Sequence, residues 1–231
     1  SLTVSSRMLE FVFRMFAEGD IAVPAAGMAA IPSQLAEQLP PESIRLSTSV
    51  STDDGTQVVM EDGSALTADN IVVATESNAA ARLLSNRSLE TSWCKATTIY
   101  YVADSSPETG KLLILRGDES GPVQTAVVIS NVAPEYAPDG KTLISVSVGP
   151  DAATDDRDQL DAAIRDQLQT WFGIAVANWR RLGIYEIPCA LPVGTLQPVM
   201  KPIEAFSDQA PSTVYVCGDH RESPSIQGAM H

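Results

Sequence analysis

Apolar positions along this chain repeat with two different periods, and each period predicts a different kind of element. Met8, Phe11, Val12, Met15 and Phe16 recur at i, i+3, i+4, i+7 and i+8. That spacing predicts a helix from Ser5 or Ser6 to about Glu18, stopped by Gly19. Its Met and Phe stripe reads first as core packing and second as the wall of an apolar ligand tunnel. A small-residue turn, Pro24-Ala25-Ala26-Gly27-Met28, leads into a second helix over 29–39, with Pro32 in its first turn and Pro40-Pro41 as its stop. Short strands are expected at 44–46, at Val50 and at 57–60. The turn 61–64 carries the Asp62-Gly63 hairpin signal. The unbroken run Ile71-Val72-Val73-Ala74-Thr75 predicts a strand buried on both faces, followed by a short helix over 78–84.

From Trp93 onward the strands lengthen: 97–102, 111–115, 123–130 and 142–148, separated by glycine-bearing turn clusters. Short connections between consecutive strands predict an antiparallel sheet, a layer distinct from the first third. Thr154-Asp155-Asp156 opens a helix over 155–172 with acids at its positive end and Leu160, Ile164, Leu168 and Trp171 as its buried stripe; Gly173 closes it. Trp179, between Asn178 and Arg180-Arg181, reads as a surface anchor. A strand is expected over 182–187. The stretch 188–202, with four prolines, reads as a loop.

The last nineteen positions, 213–231, run strand (213–217), Gly218-Asp219, polar loop, and helix start at Ile226. A fold can hold a nucleotide cofactor at a strand's carboxyl end with such an order. The aspartate accepts hydrogen bonds from sugar hydroxyls, and the first-turn N–H groups meet an electron-rich ligand edge. The helix has about one turn before the sequence stops, which is too short to be stable alone. The expectation is a cofactor site separated from part of its own fold. Gly218-Asp219 also reads as a plain turn, Ala68-Asp69 as an exposed one, and His220 as either a neighbour of the cofactor or an exposed loop histidine.

Charge and composition narrow the choices. A net charge of −14 and a pI near 4.4 argue against nucleic-acid or anionic-membrane surfaces. Cys94, Cys189 and Cys217 are far apart, odd in number and in no CxxC pattern, so a reducing compartment without disulfides is expected: cytoplasm or plastid stroma, with peripheral membrane association open. With only His220 and His231, a zinc or di-metal site has little to be built from. No apolar run reaches the ~20 residues that cross a bilayer. No secretory signal is visible, and the first residue is Ser, so the true amino terminus is expected upstream.

Several of these local patterns occur in a telling order: Pro24–Met28 before a helix, the Val50 strand, the Asp62-Gly63 hairpin, Ala68-Asp69-Asn70-Ile71-Val72-Val73-Ala74-Thr75, and Val214-Tyr215-Val216-Cys217-Gly218-Asp219. Together they resemble the carboxyl-terminal half or more of the flavin amine oxidase superfamily, which includes phytoene desaturases and protoporphyrinogen oxidases. Within it the chain looks like the FAD-dependent oxidoreductases of cyanobacteria and plastids. The resemblance implies an α+β / α/β architecture: an incomplete FAD-binding domain of a Rossmann variant, and a substrate domain with an antiparallel sheet and flanking helices. It divides the chain into 1–23 (helical, substrate domain), 24–90 (FAD domain), 91–192 (antiparallel substrate domain) and 193–231 (return to the FAD domain). It implies that Val50 offers backbone groups to the adenine and that Ala74 and Thr75 pass near the diphosphate. Gly218-Asp219 would bind the ribityl or diphosphate region, and Gln227, Gly228, Ala229 and Met230 would point N–H groups at the flavin's pyrimidine oxygen. The implied partners are FAD and an apolar small molecule, with a larger protein assembly open.

Two departures limit the resemblance. The family's Gly-x-Gly-x-x-Gly loop is absent from this sequence. The position before the terminal helix, aromatic in amine oxidases, is Ser225. Aligning the family's Tyr-Tyr pair on Tyr100-Tyr101 places its lysine position at Ala96, one residue from Lys95, and a one-residue shift reverses a strand side chain's face. No catalytic residue can therefore be named. The expectation is a portion of an FAD-dependent oxidoreductase, inactive by itself, that takes hydride from an apolar molecule. The alternative is a non-catalytic accessory or assembly subunit that keeps the fold.

Overall fold

A computed structural model describes residues 6–53, 57–107, 109–152, 156–193, 213–222 and 224–230. The helices are α1 (Ser6–Glu18), α2 (Ala30–Ala36), α3 (Ser77–Leu83), α4 (Ile129–Val132), α5 (Arg157–Phe172) and α6 (Ile226–Met230). The strands are β1 (Val50–Asp53), β2 (Val58–Met60), β3 (Ala65–Leu66), β4 (Asn70–Val73), β5 (Ser92–Ala103), β6 (Leu113–Leu115), β7 (Val123–Val128), β8 (Thr142–Val148), β9 (Arg180–Val193) and β10 (Thr213–Val216). The chain divides into two compact units. One is Ser1–Pro40, Ile99–Val148 and Thr154–Ile184; the other is Pro41–Thr98, Gly149–Ala153 and Tyr185–His231.

The first unit is built on the five-stranded sheet ordered β6-β7-β8-β5-β9, in which β6–β7 and β7–β8 are antiparallel. Alternation in β8 (Thr142, Ile144, Val146 and Val148 inward) and in β7 gives one buried face, on which Leu160, Ile164 and Leu168 of α5 are also buried. Asp156 caps α5, its carboxylate accepting from the N–H groups of Asp158 and Gln159, and Gly173 ends it at φ 72°. The polar side chain of Gln167 is built into this core. Gln167 accepts from Val123 N–H at 2.7 Å and donates to Val123 C=O at 3.3 Å, where the β7–β8 register shifts. Its amide acts as a surrogate strand for a bulge. Nearby, Tyr101 is fully buried and donates to Asp161 at 2.6 Å. Asp161 also holds Arg165, which donates to the carbonyls of Val176 and Trp179.

Several sequence expectations need correction. Trp179 is 4% exposed rather than a surface anchor: its ring packs on Tyr101 and Phe172 at centroid distances of 6.1 and 5.5 Å. In the apolar stripe of α1 the expected core packing fails at Met15 and Phe16, which are exposed, while Val12 is half-buried; the side chains of Met8 and Phe11 lie outside the described set. Residues 44–46 form no strand; positive φ at Glu42 and Ser47 bends the backbone on either side. Pro188 and Pro192 lie inside β9, not in a loop. β9 is an edge strand, where proline is tolerated because one side of the strand has no ladder partner. Of the expected loop, 194–202 lies outside the described residues, as do Thr154, Asp155 and His231.

In the second unit β1, β2 and β3 form an antiparallel sheet. Its β2–β3 turn is closed by the Asp62 carboxylate, which accepts from the Ser64 hydroxyl and from Ser64 N–H at 2.8 Å; the hydroxyl first and then the N–H keep the Asp62 pKa low. β4 and β10 form a separate parallel pair in register Asn70↔Thr213 to Val73↔Val216. Ile71, Val73, Val214 and Val216 on one face pack with Ala80, Ala81 and Leu84 of the following helical segment and with Leu89. The other face is open, with Val72 61% exposed. The expectation of burial on both faces therefore fails. Among the described residues β4 has a single neighbouring strand and a cover on one side.

Candidate functional site

Two parallel strands carry their carboxyl ends to the same edge. β4 ends at Val73 and continues through Ala74 and Thr75 into α3; β10 ends at Val216 and continues through Cys217, Gly218 and Asp219. Cys217 N–H donates to Val73 C=O at 3.1 Å, extending the pairing one residue past the ladder. Arg221 N–H then donates to Gly218 C=O at 2.9 Å, closing a turn that has Asp219 and His220 at its centre.

Gly218 has two reasons to be glycine. Its φ of 142° is hard for any L side chain, and a Cβ there would lie 2.8 Å from His220 Cε1 and 2.9 Å from Nδ1. The same Cβ position is 3.9 Å from Thr75 C=O, so the two strand ends adjoin. The His220 ring folds back over Gly218, and its side chain is 2% exposed.

That ring is the least satisfied part of the region. His220 Nδ1 lies 4.0 Å from Asp219 Oδ1, beyond hydrogen-bond range, and Nε2 is buried without a partner among the described residues. Trp93, at the start of β5, packs against it with centroids 6.4 Å apart, and its indole N–H is likewise buried and unpartnered. An orphaned buried polar group costs roughly 1–3 kcal/mol. Burial pushes the His220 pKa below its ordinary value, with Asp219 opposing and Arg221 adding to the drop. The imidazole is therefore neutral at pH 7. Asp219, with a side chain 25% exposed, faces solvent in part and has acceptor capacity to spare.

Ala74, Thr75, Gly218 and Asp219 are thus together. The terminal helix is arranged otherwise. Ser225 caps α6: its hydroxyl accepts from Gly228 N–H at 3.0 Å, and its C=O accepts from Ala229 N–H at 3.0 Å. The cap thereby uses one first-turn donor, Gly228 N–H, and Ala229 N–H makes the first backbone bond of the helix. Gly228 is buried, whereas Gln227, Ala229 and Met230 are exposed. Val50 stands in the other sheet of this unit, opposite Met60 beside a bulge. Lys95 is exposed and Ala96 half-buried, as opposite faces of β5 require.

Sequence reasoning missed two residues. Trp93 gave no signal, since only the folded chain brings it to His220 across more than a hundred positions. The cap was readable: Ser225 three residues before the Gly228 N–H it holds is the spacing of an N-cap. Elsewhere, a cleft of about 590 Å³ beside α2 is lined by Pro24, Ala26, Ala30, Gln34 and Glu37; its alanine-rich wall offers little chemistry. Among the described residues there is no cluster of metal-ligating side chains, no helix long and apolar enough to cross a membrane, and all three cysteines are free.

Solved structures share this fold. A protein assigned as a protoporphyrinogen oxidase from Exiguobacterium sp. 255-15 superposes with TM-score 0.66 at 18% identity, over 89% of this chain and 49% of that one. An oxidoreductase from Methanosarcina mazei gives 0.55 at 16%, over 78% and 46%. Reduced UDP-galactopyranose mutase gives 0.59 at 13%, over 72% and 39%. The chain spans about half the length, or less, of these relatives. A search of curated proteins gave no match. The fold is that of FAD-dependent oxidoreductases, mixed helix and sheet with antiparallel layers. The family profile described as flavin containing amine oxidoreductase matches residues 1–231, and the chain belongs to that family.

Proposed function

We propose that this chain supplies one portion of the FAD site, and the substrate-domain sheet, of an FAD-dependent oxidoreductase acting on an apolar small molecule. The observation that carries this reading is the shared edge of β4 and β10. Ala74-Thr75 and Gly218-Asp219 adjoin there, next to two buried nitrogen groups with no partner among the described residues. An acceptor carboxylate, a glycine backbone and unspent buried polar groups suit a sugar-bearing nucleotide.

Bound flavin would supply the redox chemistry by accepting hydride. The chain's own part is to hold and orient. Asp219 would accept hydrogen bonds from ribityl hydroxyls or from the region near the diphosphate. The Thr75 segment would border the diphosphate, and Val50 would present backbone groups toward the adenine. For the helix start, the chain offers the remaining N–H groups of Ile226 and Gln227, because Ser225 holds those of Gly228 and Ala229. The diphosphate loop itself would come from polypeptide outside these 231 residues, so the portion alone would not turn over.

The test is FAD binding by the chain, followed by flavin fluorescence. Binding is expected, weak, and about tenfold weaker in Asp219→Asn, since a charged acceptor becomes a neutral one. A chain that takes up no FAD overturns the reading. A second reading, a non-catalytic subunit that keeps the fold, is favoured by exposed Lys95 and by Ser225 serving as a helix cap where amine oxidases place an aromatic ring. A protein that binds FAD but leaves it oxidised with every apolar donor offered would favour it.

A further inference from the structure

The pair formed by Trp93 and His220 has buried nitrogens whose hydrogen-bonding capacity no described residue uses. Trp93 Nε1 and His220 Nε2 are each shielded from solvent and unpartnered among the described residues, on rings that pack together beside Gly218 and Asp219. Natural folds rarely leave such groups without a partner, be it protein, ordered water or ligand. The chemistry of that partner can be narrowed. An indole N–H donates only, so it needs an acceptor oxygen. A neutral imidazole has one donor and one acceptor. The Asp219 carboxylate beside Nδ1 favours the tautomer with its hydrogen there, leaving Nε2 a lone pair that needs a donor. A phosphate serves the indole and not that lone pair. Hydroxyl groups serve both.

We propose that Trp93 and His220 are hydroxyl-contacting residues of the cofactor site, the indole donating to and Nε2 accepting from hydroxyls of the ligand's sugar-alcohol chain. The inference rests on the FAD reading above and adds to it two residues and the part of the ligand they hold. It also explains Gly218: the glycine makes room for the imidazole that reaches the ligand, and not only for the ligand itself.

The experiment uses the whole chain labelled with ¹⁵N at its tryptophans and titrated with FAD, riboflavin, lumichrome and ADP-ribose. Trp93→Phe identifies the Trp93 indole signal among the three tryptophans. The expected result is a saturable shift of that signal with FAD and riboflavin, and none with lumichrome, which lacks the ribityl chain. A response to ADP-ribose and none to riboflavin would overturn it, placing the contact at the ribose hydroxyls and not on the ribityl chain. Trp93→Phe and His220→Ala should each weaken FAD binding about tenfold, with circular dichroism and thermal unfolding confirming that the variants fold. If FAD binds, Asp219→Asn weakens it, and the indole signal and both variants are indifferent, the pair holds only buried water; this inference falls and the cofactor reading stands. If no ligand binds the wild-type chain, both fall.

Discussion

At Gly218 a single missing methyl group settles where the neighbouring ring can go. Gly218→Ala should cost about 1–3 kcal/mol, because it adds a strained φ and a clash with His220. Urea unfolding of Gly218→Ala, His220→Ala and the double variant separates the two terms. A double variant less damaged than the sum of the singles identifies the clash. His220 also gives a pH dependence of known sign. Its folded pKa is depressed, so the unfolded state binds the proton more readily. Stability is full above about pH 6.5, the usual histidine value, and falls as pH drops below it. Denaturation midpoints measured between pH 5.5 and 7.5 should decline on the acid side in wild type and flatten in His220→Gln. The residue scale was partly legible. Asp219 and Gly218 stood out because Gly-Asp after a β run is a local pattern. Trp93 was invisible because its meaning is a contact, not a motif.

Among the elements, β7 depends on a side chain that is not in any strand. Gln167→Leu should destabilise the first unit by about 2–3 kcal/mol, since both Val123 backbone groups lose their partner inside the core. Thermal unfolding reads it directly. The β4–β10 pair gives a contrast between faces. Val73→Ala should cost about 2 kcal/mol, through lost packing against Ala80 and Leu84. Val72→Ala should cost less than about 0.5 kcal/mol, because its side chain faces water. Helix existence was readable from the apolar period for α1 and α5, and strand existence from apolar runs and turn clusters for β4 to β8. What failed was environment. An apolar run says that a strand wants burial, not how many faces the available chain covers, so Val72 was misjudged. Polar neighbours of Trp179 suggested a surface because sequence shows charge; it does not show Arg165 spending its guanidinium on backbone carbonyls.

Across the whole molecule the acidic balance and the family fold point the same way. With a net charge of −14 the chain should bind an anion exchanger at pH 7 and fail to sediment with anionic vesicles; sedimentation with phosphatidylserine vesicles at low salt would contradict this. The family was legible because several weak motifs stood in one order along the chain, and their order carried the information. Each motif is set by local backbone demands, a hairpin glycine or a strand-end aspartate. The distances between motifs are set by the fold. The location of the reacting atoms was not legible, because flavin chemistry needs few protein groups and leaves no compact signature.

The β4–β10 pairing also sets the order of events during synthesis. Its partners are about 140 residues apart, Asn70–Val73 near the first third of the chain and Thr213–Val216 near its end. At ribosomal rates of about 5–20 residues per second, β4 waits roughly 7–30 s for its partner. During that time Ile71 and Val73 lack half of their core, and an extended edge is open to other chains. The sheet in the first unit closes sooner, β6, β7 and β8 being consecutive in the chain. The second unit is therefore the part of a nascent chain that a chaperone would have to shelter, and the part most exposed to misassembly when synthesis is fast.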